Sequence, residues 1–83
     1  MQRIDFLNKI IEKDIGDNIR KIRESIGMTQ ETLSAKLQLR GCDITRSAIA
    51  KIEVGQRHLY PDEVILIKEI LNTDFDSIFY GSK

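Results

Sequence analysis

Arg46, Ser47 and Lys51 are the side chains of this chain whose types and spacing suit chemistry on a partner. At about 100° per residue, Arg46, Ser47, Ala50, Lys51 and Val54 fall within one helical arc about 140° wide, and Ile49 and Ile52 fall on the far side. Arginine and lysine donate hydrogen bonds to guanine edges or to phosphates, and serine serves either partner. A helix with isoleucines behind and basic groups in front suits the major groove of DNA. A solvated basic face on a core-packing helix has the same pattern, so the flanking residues must separate the two readings.

The elements that would position this face announce themselves by their start signals. Thr29 is a candidate cap, with Met28 before it and Leu33 at the fourth helical position. Thr45 stands in the same relation to Ile44 and Ile49, and position 60 to Leu59 and Val64. An apolar residue before the cap packing on one at the fourth position is a hydrophobic staple. Three staples this close together argue for short, tightly joined helices. Pro61 fits the first position of the third of these.

Five core helices are expected. The first runs from near Asp14 to Gly27, with Asp17 in its first turn and Ile15, Ile19, Ile22 and Ile26 as its buried stripe. The second runs from Gln30 to about Gln38 and buries Leu33 and Leu37. The third spans 46–54 and stops at Gly55. The fourth runs from Pro61 to about Leu71, with Asp62 and Glu63 at its positive end. The last follows Asp74 and presents Phe75, Ile78 and Phe79. The fold class is all-α, a domain over 14–80 with its motif at about 29–54. Residues 1–13, carrying Phe6, Leu7, Ile10 and Ile11, read as an amphipathic extension that either covers the last helix or meets a partner.

The stretch from Arg23 to Glu53 resembles the Cro/repressor-type helix-turn-helix (XRE) family. The matching pieces are Ile19-Arg20-Lys21-Ile22-Arg23-Glu24, Gly27-Met28-Thr29-Gln30-Glu31-Thr32-Leu33 and Ser47-Ala48-Ile49-Ala50-Lys51-Ile52-Glu53, followed by Gly55 and Arg57. The resemblance covers about residues 15–80 and implies a compact five-helix, lambda-repressor-like fold. It implies that Arg46, Ser47 and Lys51 read bases. It implies that Gln30 bonds a phosphate and braces the recognition helix, and that Arg57 contacts the DNA backbone. Thr45, Gln56 and Arg40 complete the expected backbone set, although Arg40 reads more readily as solvated. Arg23 is expected to pair with Glu53 and tie the first helix to the recognition helix.

The chain departs from the family pattern in the link between its two motif helices. Gln38-Leu39-Arg40-Gly41-Cys42-Asp43-Ile44 is longer than the usual turn of about 3–4 residues. Leu39 and Ile44 are the expected anchors of this extended turn, and Gly41 its bend. Ser34 stands where the family often has alanine. Val54 replaces a frequent asparagine.

Composition narrows the alternatives. A chain of 83 residues makes one domain and buries roughly 60% of its unfolded surface, so its core is modest. Fourteen isoleucines and seven leucines supply that core. No apolar run approaches the ~20 residues of a membrane span, and residues 1–13 lack a signal-peptide core. The lone Cys42 forms no intramolecular disulfide, and the cytoplasm is the expected location. Net charge is zero. Residues 20–57 nevertheless hold eight basic and four acidic side chains, and the remainder holds five basic and nine acidic. A positive motif on an acidic body is the expected electrostatic footprint of a groove-binding face.

Enzyme readings lack an inventory. His58 is the only histidine, and no metal-ligand spacing, phosphate loop or nucleophile motif is present. His58 reads as a surface loop residue, and Tyr60 either bonds a phosphate or packs on the first helix. No enzymatic activity, cofactor or small-molecule ligand is expected. Double-stranded DNA is the expected partner, bound by a transcriptional regulator acting as a repressor. The alternative is a protein-interaction module of the same fold binding a toxin or regulatory subunit. A single recognition helix contacts few base pairs, so a homodimer on two-fold related half-sites is expected, joined through the terminal apolar residues.

Overall fold

In the computed structural model the described residues are 3–81, with side chains described from Leu7 onward, so the expected apolar role of Phe6 lies outside them. The helices are α1 (Arg3–Ser25), α2 (Gln30–Leu39), α3 (Arg46–Glu53), α4 (Pro61–Ile70) and α5 (Phe75–Tyr80). Among the described residues there is no strand, and the all-α, five-helix architecture expected from the sequence is the one observed.

Local chemistry sets most helix starts. Thr29 Oγ1 accepts from the Thr32 N–H at 3.0 Å and Thr45 Oγ1 from the Ala48 N–H at 3.1 Å. Asp74 does the same for the Ser77 N–H at 2.7 Å. Each satisfies a donor that the first turn leaves open. Tyr60 has no short polar side chain for this task. At α4 the arrangement is reversed, and the Glu63 carboxylate accepts from the Tyr60 N–H at 3.0 Å.

The first helix differs from expectation. It begins at Arg3, so residues 3–13 are not a separate turn ahead of Asp14 but the same unbroken helix. No breaker interrupts this stretch, and Leu7, Ile10 and Ile11 continue the helical spacing of Ile15 and Ile19. At the other end Ile26 lies beyond the last turn and is 52% exposed, so it does not extend the buried stripe.

Ile19, Leu33, Leu37, Ile44, Ile67 and Ile78 are fully buried, and Ile49, Ile52 and Leu71 join them. Every helix after the first turn of α1 thus sends side chains to one core. The extended turn is pinned from one side only. Ile44 is buried, and its carbonyl accepts from Ser34 Oγ at 2.6 Å and from Gln38 Nε2 at 3.3 Å. Leu39 is 87% exposed and anchors nothing. It is the last residue of α2, on the face opposite the one that buries Leu33 and Leu37. The serine that replaces the family's alanine therefore holds the turn.

Two glycines set how closely α1 approaches α3. A Cβ on Gly16 would lie far inside contact distance of the Ile52 carbonyl oxygen and 3.0 Å from Glu53 Cα. Gly55, at φ 78°, lies against Lys13, whose Cα would sit 2.9 Å from an added Cβ. Backbone meets backbone at this crossing. A glycine inside a helical pattern usually has such a packing reason.

Candidate nucleic-acid interface

The short α3 stands on its apolar back. Ile49 and Ile52 are buried, and Arg46, Ser47 and Lys51 are exposed on the other side with the smaller Ala50 between them. Ser47 and Lys51 make no side-chain hydrogen bond or ion pair with any described residue. Arg46 has one electrostatic neighbour, with its Nε 3.8 Å from Glu31 Oε1 on α2.

Behind this face a buried polar cluster joins three helices. Arg23 Nε donates to Glu53 Oε2 at 2.7 Å, and Nη2 donates to Oε1 at 3.0 Å. The remaining arginine terminus, Nη1, donates to the Met28 carbonyl at 2.7 Å. Gln30 Nε2 donates to Glu53 Oε1 at 2.9 Å. Hydrogen bonding to Glu53 raises the Arg23 pKa above its ordinary value against the opposing effect of burial, so the guanidinium stays charged. Gln30 thus touches the end of α3 directly, and Arg23, Thr29, Gln30, Glu31 and Arg46 line an open groove in front of the cluster.

The other cations expected to meet DNA are turned toward the domain's own carboxylates. Arg57 Nη1 and Nη2 donate to the two Glu63 oxygens at 3.0 and 3.1 Å, and Nη1 also donates to the His58 carbonyl. Its guanidinium lies 5.9 Å from the centre of the Tyr60 ring. Tyr60 is thus a neighbour of Arg57. Burial pushes the Glu63 carboxyl up, but the Arg57 and Tyr60 N–H donors outweigh it and hold the carboxyl below its usual range. Arg40 Nη2 donates to Glu69 on α4 at 2.6 Å. Thr45 acts as the α3 cap, and Gln56 is exposed in the connector after it. His58 Nδ1 lies 2.7 Å from Glu12 Oε2, tying that connector to α1.

Folding changes the charge pattern that the linear sequence suggested. Arg20 and Lys21 pair with Asp17, Arg40 with Glu69 and Arg57 with Glu63. These acids lie outside the basic segment 20–57, and the fold brings them back to it. The footprint is therefore much less positive than the count along the chain implies. Among the cations of that segment, Lys36 and Lys51 make no ion pair with described residues. On the sequence alone Glu31 and Gly16 have no role, and Glu63 stands only at the positive end of its helix, without its partner Arg57. The isolated helical glycine carried a signal, and the two acids carried none beyond their place in a first helical turn.

No curated protein and no solved structure matches the chain. Among the described residues no helix is long and apolar enough to cross a membrane. The helix-turn-helix family model matches residues 19–78, from the middle of α1 into α5. That span contains the Arg23–Gln30–Glu53 cluster, both threonine-capped motif helices and the outward face of α3. The chain belongs to the XRE-type helix-turn-helix family of DNA-binding transcription regulators.

Proposed function

We propose that this protein is a sequence-specific regulator of transcription that reads the major groove of double-stranded DNA with α3 and represses by covering its site. One observation carries the reading. Ser47 and Lys51 stand exposed and unengaged by described residues on the face opposite Ile49 and Ile52, with Arg46 beside them, while buried Glu53 is clamped from behind. In this reading Lys51 and Arg46 supply donors for base edges, and Gln30, Thr45, Gln56 and Arg57 are the groups assigned to the DNA backbone. Selection from a random duplex pool tests it. The expected result is one enriched motif whose binding weakens steeply with salt. Absence of duplex binding at low salt overturns it.

The same reading includes a homodimer. Leu7, Ile10 and Ile11 on α1 and Phe75, Phe79 and Tyr80 on α5 are exposed. The Phe75 and Phe79 rings stack at 6.0 Å and line an apolar groove with Leu59, Pro61, Val64 and Ile65. A two-fold interface through these ends leaves α3 uncovered. Light scattering with and without a selected palindrome reads the state directly, and a monomer in both conditions overturns the dimer.

A second reading, a partner-protein module of the same fold, has one observation in its favour. Ion pairs to Asp17, Glu63 and Glu69 offset most of the net positive charge of the basic segment. The low-salt binding experiment separates the two.

A further inference from the structure

Arg46 occupies an electrostatically unfavourable place. It is the first residue of α3, where the helix end is positive, and no acidic residue stands in that first turn to offset it. Its compensation comes from another helix. Glu31, in the first turn of α2, holds a carboxylate oxygen 3.8 Å from Arg46 Nε. That separation is too long for a hydrogen bond and short enough for an ion pair. The two groups border the same open groove, with Thr29 and Gln30 beside them.

We infer that Glu31 is a positioning residue that sets the base preference of Arg46. Arg46 makes no hydrogen bond with the described residues, so the parallel N–H pair at the end of its guanidinium, one from Nη1 and one from Nη2, is left open. That pair of parallel donors matches the O6 and N7 acceptors of guanine. An arginine at the rim of the motif has two competing targets, a base edge and a phosphate. A carboxylate beside it repels the phosphate and leaves the uncharged guanine edge as the better partner. Glu31 thereby exchanges general affinity for selectivity. Its own exposure is consistent with that role, because water screens the pair until DNA displaces it.

The inference rests on Arg46 reading a base, and the test separates the two claims. Binding sites are selected from a random duplex pool for the native protein and for Arg46→Ala, Glu31→Ala and Glu31→Gln. Thermal melts accompany the selections, and both residues are exposed, so all variants are expected to fold. Arg46→Ala is expected to abolish a guanine preference at one position of each half-site. Glu31→Ala and Glu31→Gln are expected to relax that same position by roughly fivefold or more, to leave the other positions unchanged, and to tighten binding to unrelated duplex at low salt. If Arg46→Ala relaxes the position and the Glu31 variants do not, the positioning role is overturned while base reading by Arg46 stands. If the Glu31 variants relax a different position, Glu31 reads a base itself and the inference is again overturned. If Arg46→Ala changes no position, the base-reading assignment fails and the inference falls with it.

Discussion

Arg23 on α1 and Glu53 at the end of α3 meet in a two-point clasp, Nε to Oε2 at 2.7 Å and Nη2 to Oε1 at 3.0 Å, with both side chains buried. Among the described residues no buried side-chain polar atom lacks a partner. Removing one member therefore leaves a charged group without its counter-ion. Glu53→Ala and Arg23→Ala are each expected to cost about 3–5 kcal/mol. The double mutant is expected to cost less than the sum, because neither charge is then left alone. Denaturant melts of the three variants check this, and strict additivity contradicts it.

Gly16→Ala is expected to destabilise the domain despite placing a better helix former in α1. The intrinsic gain of about 1 kcal/mol is set against a methyl group driven into the Ile52 carbonyl, a backbone atom with no rotamer to yield. Overpacking of this kind costs about 1–3 kcal/mol or more. Because the clash falls on the last turn of α3, DNA binding should weaken along with the melting temperature. An unchanged melt means that the helices separate freely here.

Acidification should weaken the start of α4. Arg57 and the Tyr60 N–H hold the Glu63 carboxyl below its usual range in the folded state. Its contribution is therefore complete above the unfolded carboxylate pKa of about 4.3 and is lost as pH falls through the lower folded value. Glu63→Gln is expected to be less stable than the native protein at pH 7 by about 1–3 kcal/mol. The difference should shrink toward pH 3. A gap of equal size at both pH values means that the ionised pair contributes nothing.

Lys51→Ala and Arg57→Ala should behave differently, although both remove one cation near α3. Lys51 is exposed without an ion pair to described residues, whereas Arg57 holds Glu63 and the connector backbone. Lys51→Ala is expected to weaken the selected site by about 1–3 kcal/mol and to leave the melt unchanged. Arg57→Ala is expected to lower the melting temperature by several degrees, about 4–8 °C per kcal/mol, with the preferred site unchanged. Paired melts and binding-site selections distinguish these outcomes. A changed preferred site for Arg57→Ala with an unchanged one for Lys51→Ala would place the base contact at Arg57 instead.

Much of this protein is decided within short windows of its sequence. Thr29, Thr45 and Asp74 start their helices through bonds to residues three positions away, and the spacing of Ile49 and Ile52 puts Ser47 and Lys51 outside. Such local hydrogen bonds and periodicities need no knowledge of the rest of the chain. The family resemblance adds the identity of the motif. The tertiary structure decided what depends on distance in space. Asp14 reads locally as a start, yet α1 runs through it, because apolar spacing continues on both sides and Gly16 finds a backbone to pack on. Leu39 and Ile44 read alike as anchors, but only Ile44 faces the core. Charge shows the difference most plainly. Counting along the chain separates basic from acidic segments, whereas Coulomb attraction acts through space and draws Glu63 and Glu69 back onto Arg57 and Arg40.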